Sequence, residues 1–246
     1  MKYFFYFPEN PLDRRADDVR QWIEFWDDDV RAHRPEDADV IVVAGGDGTM
    51  LAAIRKFQGL GKPFFGIGRG TKNFLLNIIT SSNAIPLNLS ECLSVTLSLI
   101  KVAFKTPDGA AERFAFNDVY VKATQHNGVA RMHIRTERDG QYDAVGDGVV
   151  IATAQGSTAY NKNAYGPILP LEQQDLWTFI GICTEERLRH VYSAQHIHMD
   201  FQRPVVGVAD DEMVTDVSAL DVMPSDRTVT ILFRHDEPFR ERRRQP

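Results

Sequence analysis

The feature that most constrains this chain is an apolar run, Val40-Ile41-Val42-Val43-Ala44, that breaks directly into Gly45-Gly46-Asp47-Gly48-Thr49. A β-branched run without polar alternation is what a parallel strand buried on both faces requires. Helical spacing resumes from Thr49 to Phe57, and Gly59 and Gly61 end it. A strand, a glycine loop and a helix in immediate succession form a phosphate-site geometry. Glycines let the main chain approach a phosphate closely and take positive φ. The helix N-terminus supplies free N–H groups and the positive end of the dipole. Asp47 falls among those donors. A carboxylate there can accept a proton from a nucleophilic hydroxyl or help to hold a metal ion. The same residues would also serve as a plain strand-to-helix turn capped by Asp47 or Thr49.

Around this loop the first third of the chain reads as an α/β unit with a parallel sheet. Tyr3 to Phe7 is an aromatic strand, Pro11 to Val30 has a helical rhythm, and Pro63 to Ile67 is a short apolar strand followed by Gly68-Arg69-Gly70. The character changes after residue 85. Strand-like runs follow at Val95 to Phe104, Phe114 to Ala123, Arg131 to Glu137, Val149 to Thr153, Pro204 to Ala209, Val214 to Val222 and Thr228 to Phe233. They predict a β-rich, sandwich-like second domain. The expected division is 1–85 and 86–233, with the segment 234–246 packing back on the first domain.

The 246 residues allow one large domain or two small ones. A net charge of −6 argues against broad nucleic-acid binding. No apolar run approaches the ~20 residues of a membrane helix. The opening Met1 to Phe7 is too short for a secretory leader and ends at Pro8 and Glu9. A cytoplasmic protein is the expectation. Cys92 and Cys183, the two cysteines, are expected to be buried thiols rather than a disulfide framework or a zinc site. His196 and His198 fall two apart on one face, with no third metal ligand evident. The basic tail, Arg240 to Arg244, is expected to be a solvated end.

A second cluster narrows the chemistry. Gly146-Asp147-Gly148-Val149-Val150-Ile151-Ala152-Thr153 leads into Gln155-Gly156-Ser157-Thr158-Ala159-Tyr160. It is a strand running into a turn of small hydroxyl residues, able to present backbone groups to a ribose or a base edge. Its plain structural alternative is a helix start capped by Ser157 or Thr158. The loop at Gly45 to Thr49 resembles the GGDGT motif that NAD kinases, diacylglycerol and sphingoid lipid kinases and, in a GGDGS form, phosphofructokinases share. The block at Gly146 to Tyr160 resembles a signature of the NAD kinase family alone. Asn117-Asp118, Phe64 to Leu75, Asp210 and the tail from Glu237-Pro238-Phe239 are weaker matches. The resemblance spans roughly residues 40–80, 114–170 and 204–246.

The resemblance implies transfer of the γ-phosphoryl group of ATP, or of polyphosphate, to the 2′-hydroxyl of the adenosine ribose of NAD. Mg2+ would accompany ATP, and no dedicated protein metal site is expected. Asp47 would be the catalytic residue, and Gly45, Gly46, Gly48 and Thr49 would line the phosphate path. Asn117 and Asp118 would hold the adenosine end, Phe74 would pack on the adenine, and Asp147 would bind the nicotinamide half. Ser157, Thr158, Ala159 and Tyr160 would shape the pocket between base and ribose, with Asn163 and Asp210 completing the NAD-binding set. The partners implied are NAD and ATP, without nucleic acid or membrane, in a homodimer or homotetramer. Two other readings stand beside this one: a kinase of the same fold acting on a lipid or a sugar phosphate, and a non-catalytic nucleotide-binding sensor. The chain departs from the family pattern at several positions. Gly68 stands where Asn is usual, Asn73 for Gly, Lys72 for an apolar residue, Asp118 for Glu, Asn163 for Ser, and Tyr165 and Asp211 for Gly.

Overall fold

The structure is a computed structural model that describes residues 1–10, 12–24, 26–27, 29–81, 85, 90, 92–124, 128–235 and 241. In chain order its named elements are β1 (Tyr3–Tyr6), α1 (Asp17–Glu24), β2 (Val40–Gly45), α2 (Asp47–Phe57), β3 (Phe64–Gly68), β4 (Cys92–Thr106), β5 (Gly109–Ala115), β6 (Asp118–Ala123), β7 (Ala130–Thr136), β8 (Gly140–Gly146), β9 (Gly148–Ala152), α3 (Tyr160–Asn163), β10 (Leu176–Ile182), β11 (Arg189–Ser193), β12 (Ile197–Ala209) and β13 (Glu212–Arg234). They fall into two compact units, Met1–Leu97 with Thr228–Pro246, and Ser98–Arg227. The long strands β4 and β13 run through the boundaries, so no shift in composition marks them.

The first unit is α/β, as the sequence predicts. Its strands lie in the order β1-β2-β3-β13, and each adjacent pair is parallel. All six residues of β2 are buried, which explains the unbroken apolar run. The register sets Gly45 beside Gly68, so β2 and β3 release their glycine loops side by side at the carboxyl ends of parallel strands. Such ends are where α/β sheets open their ligand crevices. Helix α2 buries Met50, Ala53, Ile54 and Phe57, one stripe at helical spacing. Burial of each large side chain contributes about 1.5–3 kcal/mol. Asn77, fully buried, ties the sheet together: its amide donates to Gly66 O and Leu232 O, and its Oδ1 accepts from Arg234 N–H.

Helix α1 is shorter than the expected Pro11 to Val30, of which residues 11, 25 and 28 lie outside the described set. Val19 and Ile23, four apart, supply its buried face. The sequence Asp27-Asp28-Asp29 follows, an acidic run that opposes the negative end of a helix dipole.

The second unit is strand-rich, also as predicted. The path β13-β12-β6-β9-β10-β11 is antiparallel throughout, β7 pairs with β12 and β8, and β4 pairs with β5. Its core includes Phe104, Val119, Met132, Ile151, Trp177, Phe179 and Leu220. The expected run Phe114 to Ala123 is two strands, interrupted where the backbone of residues 116–118 turns its N–H groups toward Asp210. The two late runs join into the single strand β13 through Pro224. Pro224 falls beyond the last β12 partner, Val222, and before the β3 pairing at Ile231, so its missing N–H costs no bond to either strand.

Cys92 is buried as expected, but Cys183 is exposed, at φ +48° in the turn after β10. The tail residues 236–240 and 242–246, including Glu237-Pro238-Phe239, lie outside the described residues, and with them most of the expected packing of the segment 234–246. Among the described residues no helix is long and apolar enough to cross a membrane.

Candidate active site

The glycine loop is built by exclusion of side chains. A Cβ on Gly45 would lie 2.5 Å from Thr49 Oγ1, because Thr49 folds back over it. A Cβ on Gly70 would lie 2.9 Å from Gly46 Cα, so the loop after β3 rests directly on the loop after β2. Gly48 has open space where a side chain would be. Gly46 is the N-cap of α2 and makes no side-chain cap bond, and Asp47 and Thr49 do not cap the helix either. Instead the Asp47 carboxylate crosses to the neighbouring loop. Its Oδ2 accepts from Phe74 N–H at 3.1 Å and its Oδ1 from Leu75 N–H at 2.9 Å. Hydrogen bonds to an ionised acceptor are each worth about 1.5–3 kcal/mol. They fix the carboxylate at the helix N-terminus, where the dipole favours negative charge.

The supporting loop is itself locked. Asn73 is buried at φ +55°, a conformation Asn tolerates well. Its Oδ1 accepts from Gly70 N–H and its Nδ2 donates to Gly70 O. Arg69 donates to Gly68 O and Ile79 O and pairs with Asp18, and its backbone N–H donates to Gly45 O. A cavity of about 510 Å³ opens over the loop. Gly46, Asp47, Gly48, Thr49, Gly70 and Lys72 line it, together with Tyr6, Glu9 and Arg15. Phe74 is half-buried beside Asp47 and does not line this cavity.

In the second unit, Asn117, Asp118 and Asp210 form one network. Asp210, at φ +55°, accepts from Phe116, Asn117 and Asp118 N–H at 2.7, 2.7 and 3.2 Å. Asp118 is buried. Burial first, then the negative charge of Asp210, pushes its carboxyl up to about 7, against a hydrogen bond from Tyr160 N–H. Burial pushes Asp210 up to about 6, with its three N–H donors opposing. The Oδ1 of Asn117 is buried and has no hydrogen-bond partner among the described residues. Buried polar atoms are rarely left so, and an orphan acceptor asks for an N–H or O–H donor from outside the protein.

The block Gly146 to Tyr160 packs onto this network. A Cβ on Gly156 would lie 2.0 Å from Asn117 O, so only glycine fits there. Thr153 Oγ1 lies 2.8 Å from Phe116 O and 3.0 Å from Asn117 O, and Gln155 Nε2 donates to Phe116 O. The expected capped helix start is a 3-10 turn without a side-chain cap. Ser157 is fully buried; its hydroxyl donates to Ala154 O and accepts from Leu169 N–H, so it acts within the turn. Thr158 donates to Gln155 O, and Ala159 N–H to Gly156 O. Tyr160 packs edge-on against Tyr120, and the Lys122 ammonium lies 4.8 Å from the Tyr160 ring centre. A side-chain hydrogen bond with Tyr160 raises the Lys122 pKa, and Asp147 adds to the shift. Asp147 is exposed between β8 and β9, and Asn163 is exposed at the end of α3. Neither joins the Asn117 network.

Sequence reasoning marked Asn73 as a departure from the family pattern but missed Asn77, Arg15 and Lys122. Only the pairing of a strand-facing lysine with aromatic neighbours, Tyr120 and Lys122, carried a local signal. His196 and His198 both bond Asp221 Oδ1, at 2.6 and 2.8 Å, and His198 also meets Asp200. Among the described residues no group of three or more His, Cys, Asp or Glu side chains is placed to hold a metal.

The sequence matches the family described as ATP-NAD kinase N-terminal domain over residues 7–94. It is 37% identical over 218 residues to the NAD kinase of Brucella suis biovar 1 (strain 1330), covering 84% of each chain. It is 32% identical over 231 residues to that of Rhizobium meliloti (strain 1021), covering 87% of this chain and 88% of the other. The fold superposes with a TM-score of 0.74 on an NAD kinase from Archaeoglobus fulgidus in complex with ATP, at 19% identity over 96% of this chain and 94% of that one. It superposes with a TM-score of 0.73 on yeast NADH kinase complexed with NADH, at 16% identity over 99% and 86%. The sequence relatives define a phosphotransferase. The chain belongs to the NAD kinase family.

Proposed function

We propose that this protein phosphorylates the 2′-hydroxyl of the adenosine ribose of NAD to give NADP, with ATP as donor. The observation that carries the reading is Asp47, at the N-terminus of α2 with both oxygens anchored by Phe74 and Leu75 N–H. Such anchoring favours the ionised carboxylate, the form that accepts a proton from an attacking hydroxyl or orients it. Gly46 and Gly48 leave the backbone open to phosphate oxygens. The orphan Oδ1 of Asn117 suits a donor group on the nucleoside, and Tyr160, whose backbone N–H bonds the adjacent Asp118, pairs its ring with the Lys122 ammonium. Asp47 and Glu9 are the carboxylates that line the cavity. That set would suit a Mg2+ ion that accompanies the donor phosphates, with Asp47 as the carboxylate that would hold it. Bound Mg2+ would neutralise charge that develops on the transferred phosphoryl group.

The test is direct: incubate the protein with NAD, ATP and Mg2+ and measure NADP. Asp47→Asn should lower kcat by about 10²–10⁴-fold, the range for a lost general base. No NADP from the parent protein would overturn the reading, and equal turnover by both would overturn the role of Asp47.

A further inference from the structure

We propose that Lys72, with Arg15 in the same cavity, binds the phosphate chain of the donor and sets its affinity. This deepens the proposed function and rests on that reading for the identity of the site. Lys72 stands where the family resemblance has an apolar residue, so the charge is this chain's own. The lock on either side of it fixes its backbone. Asn73 is bonded twice to Gly70, and Phe74 N–H is bonded to Asp47. Lys72 thus comes off a segment tied to the proposed catalytic carboxylate through Phe74, two residues further on, and it lines the same 510 Å³ cavity as Gly46, Asp47 and Gly48.

The charges around the cavity leave it available. Glu9 is engaged by Tyr6 and Lys56, Asp13 by Arg15, and Asp47 by two backbone N–H groups. Among the described residues no carboxylate pairs with Lys72. Arg15 Nη1 lies 3.6 Å from where a Cβ on Gly46 would sit, so its guanidinium stands beside the phosphate loop while Asp13 holds it there. Two cations lining one cavity with an open glycine loop suit a linear chain of phosphates, whether in a nucleoside triphosphate or in inorganic polyphosphate. Lysine suits the task as a flexible point charge with three donors.

The test uses the full chain and the variants Lys72→Met, Lys72→Arg and Arg15→Gln. Lys72 is exposed, so its replacement leaves the core intact. Binding of ATP, inorganic tripolyphosphate and AMP is measured by calorimetry, alongside steady-state kinetics with NAD. Lys72→Met should weaken ATP and tripolyphosphate alike, by about tenfold or more, the scale of one charge-assisted hydrogen bond. AMP binding and the KM for NAD should stay put, and Lys72→Arg should recover most of the loss. Arg15→Gln should act in the same direction but more weakly, since Asp13 already offsets its charge. Unchanged tripolyphosphate binding in Lys72→Met would overturn the inference, as would a loss confined to ATP, which would place the contact on the nucleoside. These outcomes are independent of the acceptor. A parent protein that binds tripolyphosphate through Lys72 but makes no NADP would sink the proposed function and leave this inference standing.

Discussion

Asn73 and Gly68 share one volume: a Cβ on Gly68 would lie 2.8 Å from Asn73 Cγ and 3.1 Å from its Oδ1. The family resemblance has Asn at position 68 and Gly at position 73, so this chain carries the two residues exchanged. The exchange reads as one coupled change, with the amide moved across the loop while the space stays filled. Gly68→Asn alone should overfill the site and lower stability by about 1–3 kcal/mol. Gly68→Asn with Asn73→Gly should recover most of that loss in urea denaturation. A double variant no more stable than Gly68→Asn would show that the two positions are independent.

This pair marks the limit of what the sequence makes legible. The loop Gly45 to Thr49 could be read because strand, turn and helix are all local, and the apolar run Val40 to Ala44 has no other comfortable place than a buried strand. Asp210 could be placed near Asn117 only by resemblance, since the contact joins residues 93 apart and depends on a positive φ that composition does not announce. Asn77 was invisible for the same reason: its partners, Leu232 and Arg234, lie at the other end of the chain. Ser157 was legible as a residue of the turn but not in its role, because nothing in a Gly-Ser-Thr string says which hydroxyl faces inward.

Asn77 carries the next expectation. Its amide satisfies Gly66 O, Leu232 O and Arg234 N–H within a fully buried site. Asn77→Ala would remove all three side-chain bonds, with Gly66 O keeping only the backbone N–H of residue 77. Each buried unsatisfied group costs about 1–3 kcal/mol, so a loss of about 3 kcal/mol or more is expected. The midpoint of guanidinium denaturation measures it, and a change below about 1 kcal/mol would mean that water replaces the amide.

Asp118 should give the protein a pH dependence opposite to ordinary acid denaturation. Burial, then the charge of Asp210, raises its carboxyl from 3.8 to about 7. The folded state therefore holds a proton that the unfolded chain gives up. The stabilisation is fully present below the unfolded value of 3.8 and is lost as pH rises toward the folded value near 7. Asp118→Asn, neutral at every pH, should flatten the fall of Tm across that window. Identical Tm profiles for parent and variant would refute the assignment.

Asn117 separates binding from stability. Its Oδ1 is buried with no partner among the described residues, which leaves a desolvated acceptor. Removing such an atom relieves a penalty of about 1–3 kcal/mol rather than breaking a bond. Asn117→Ala should therefore leave stability unchanged or slightly raised, apart from the lost packing of one half-buried side chain. Under the proposed function the same atom accepts from the nucleoside of NAD, and its loss should raise the KM for NAD by about tenfold, one hydrogen bond's worth. The KM for ATP should hold, since the cavity in the first unit contains no part of Asn117. A variant that loses stability along with NAD affinity would show that Asn117 Oδ1 is already satisfied inside the protein, and that the orphan acceptor is no mark of the nucleoside site.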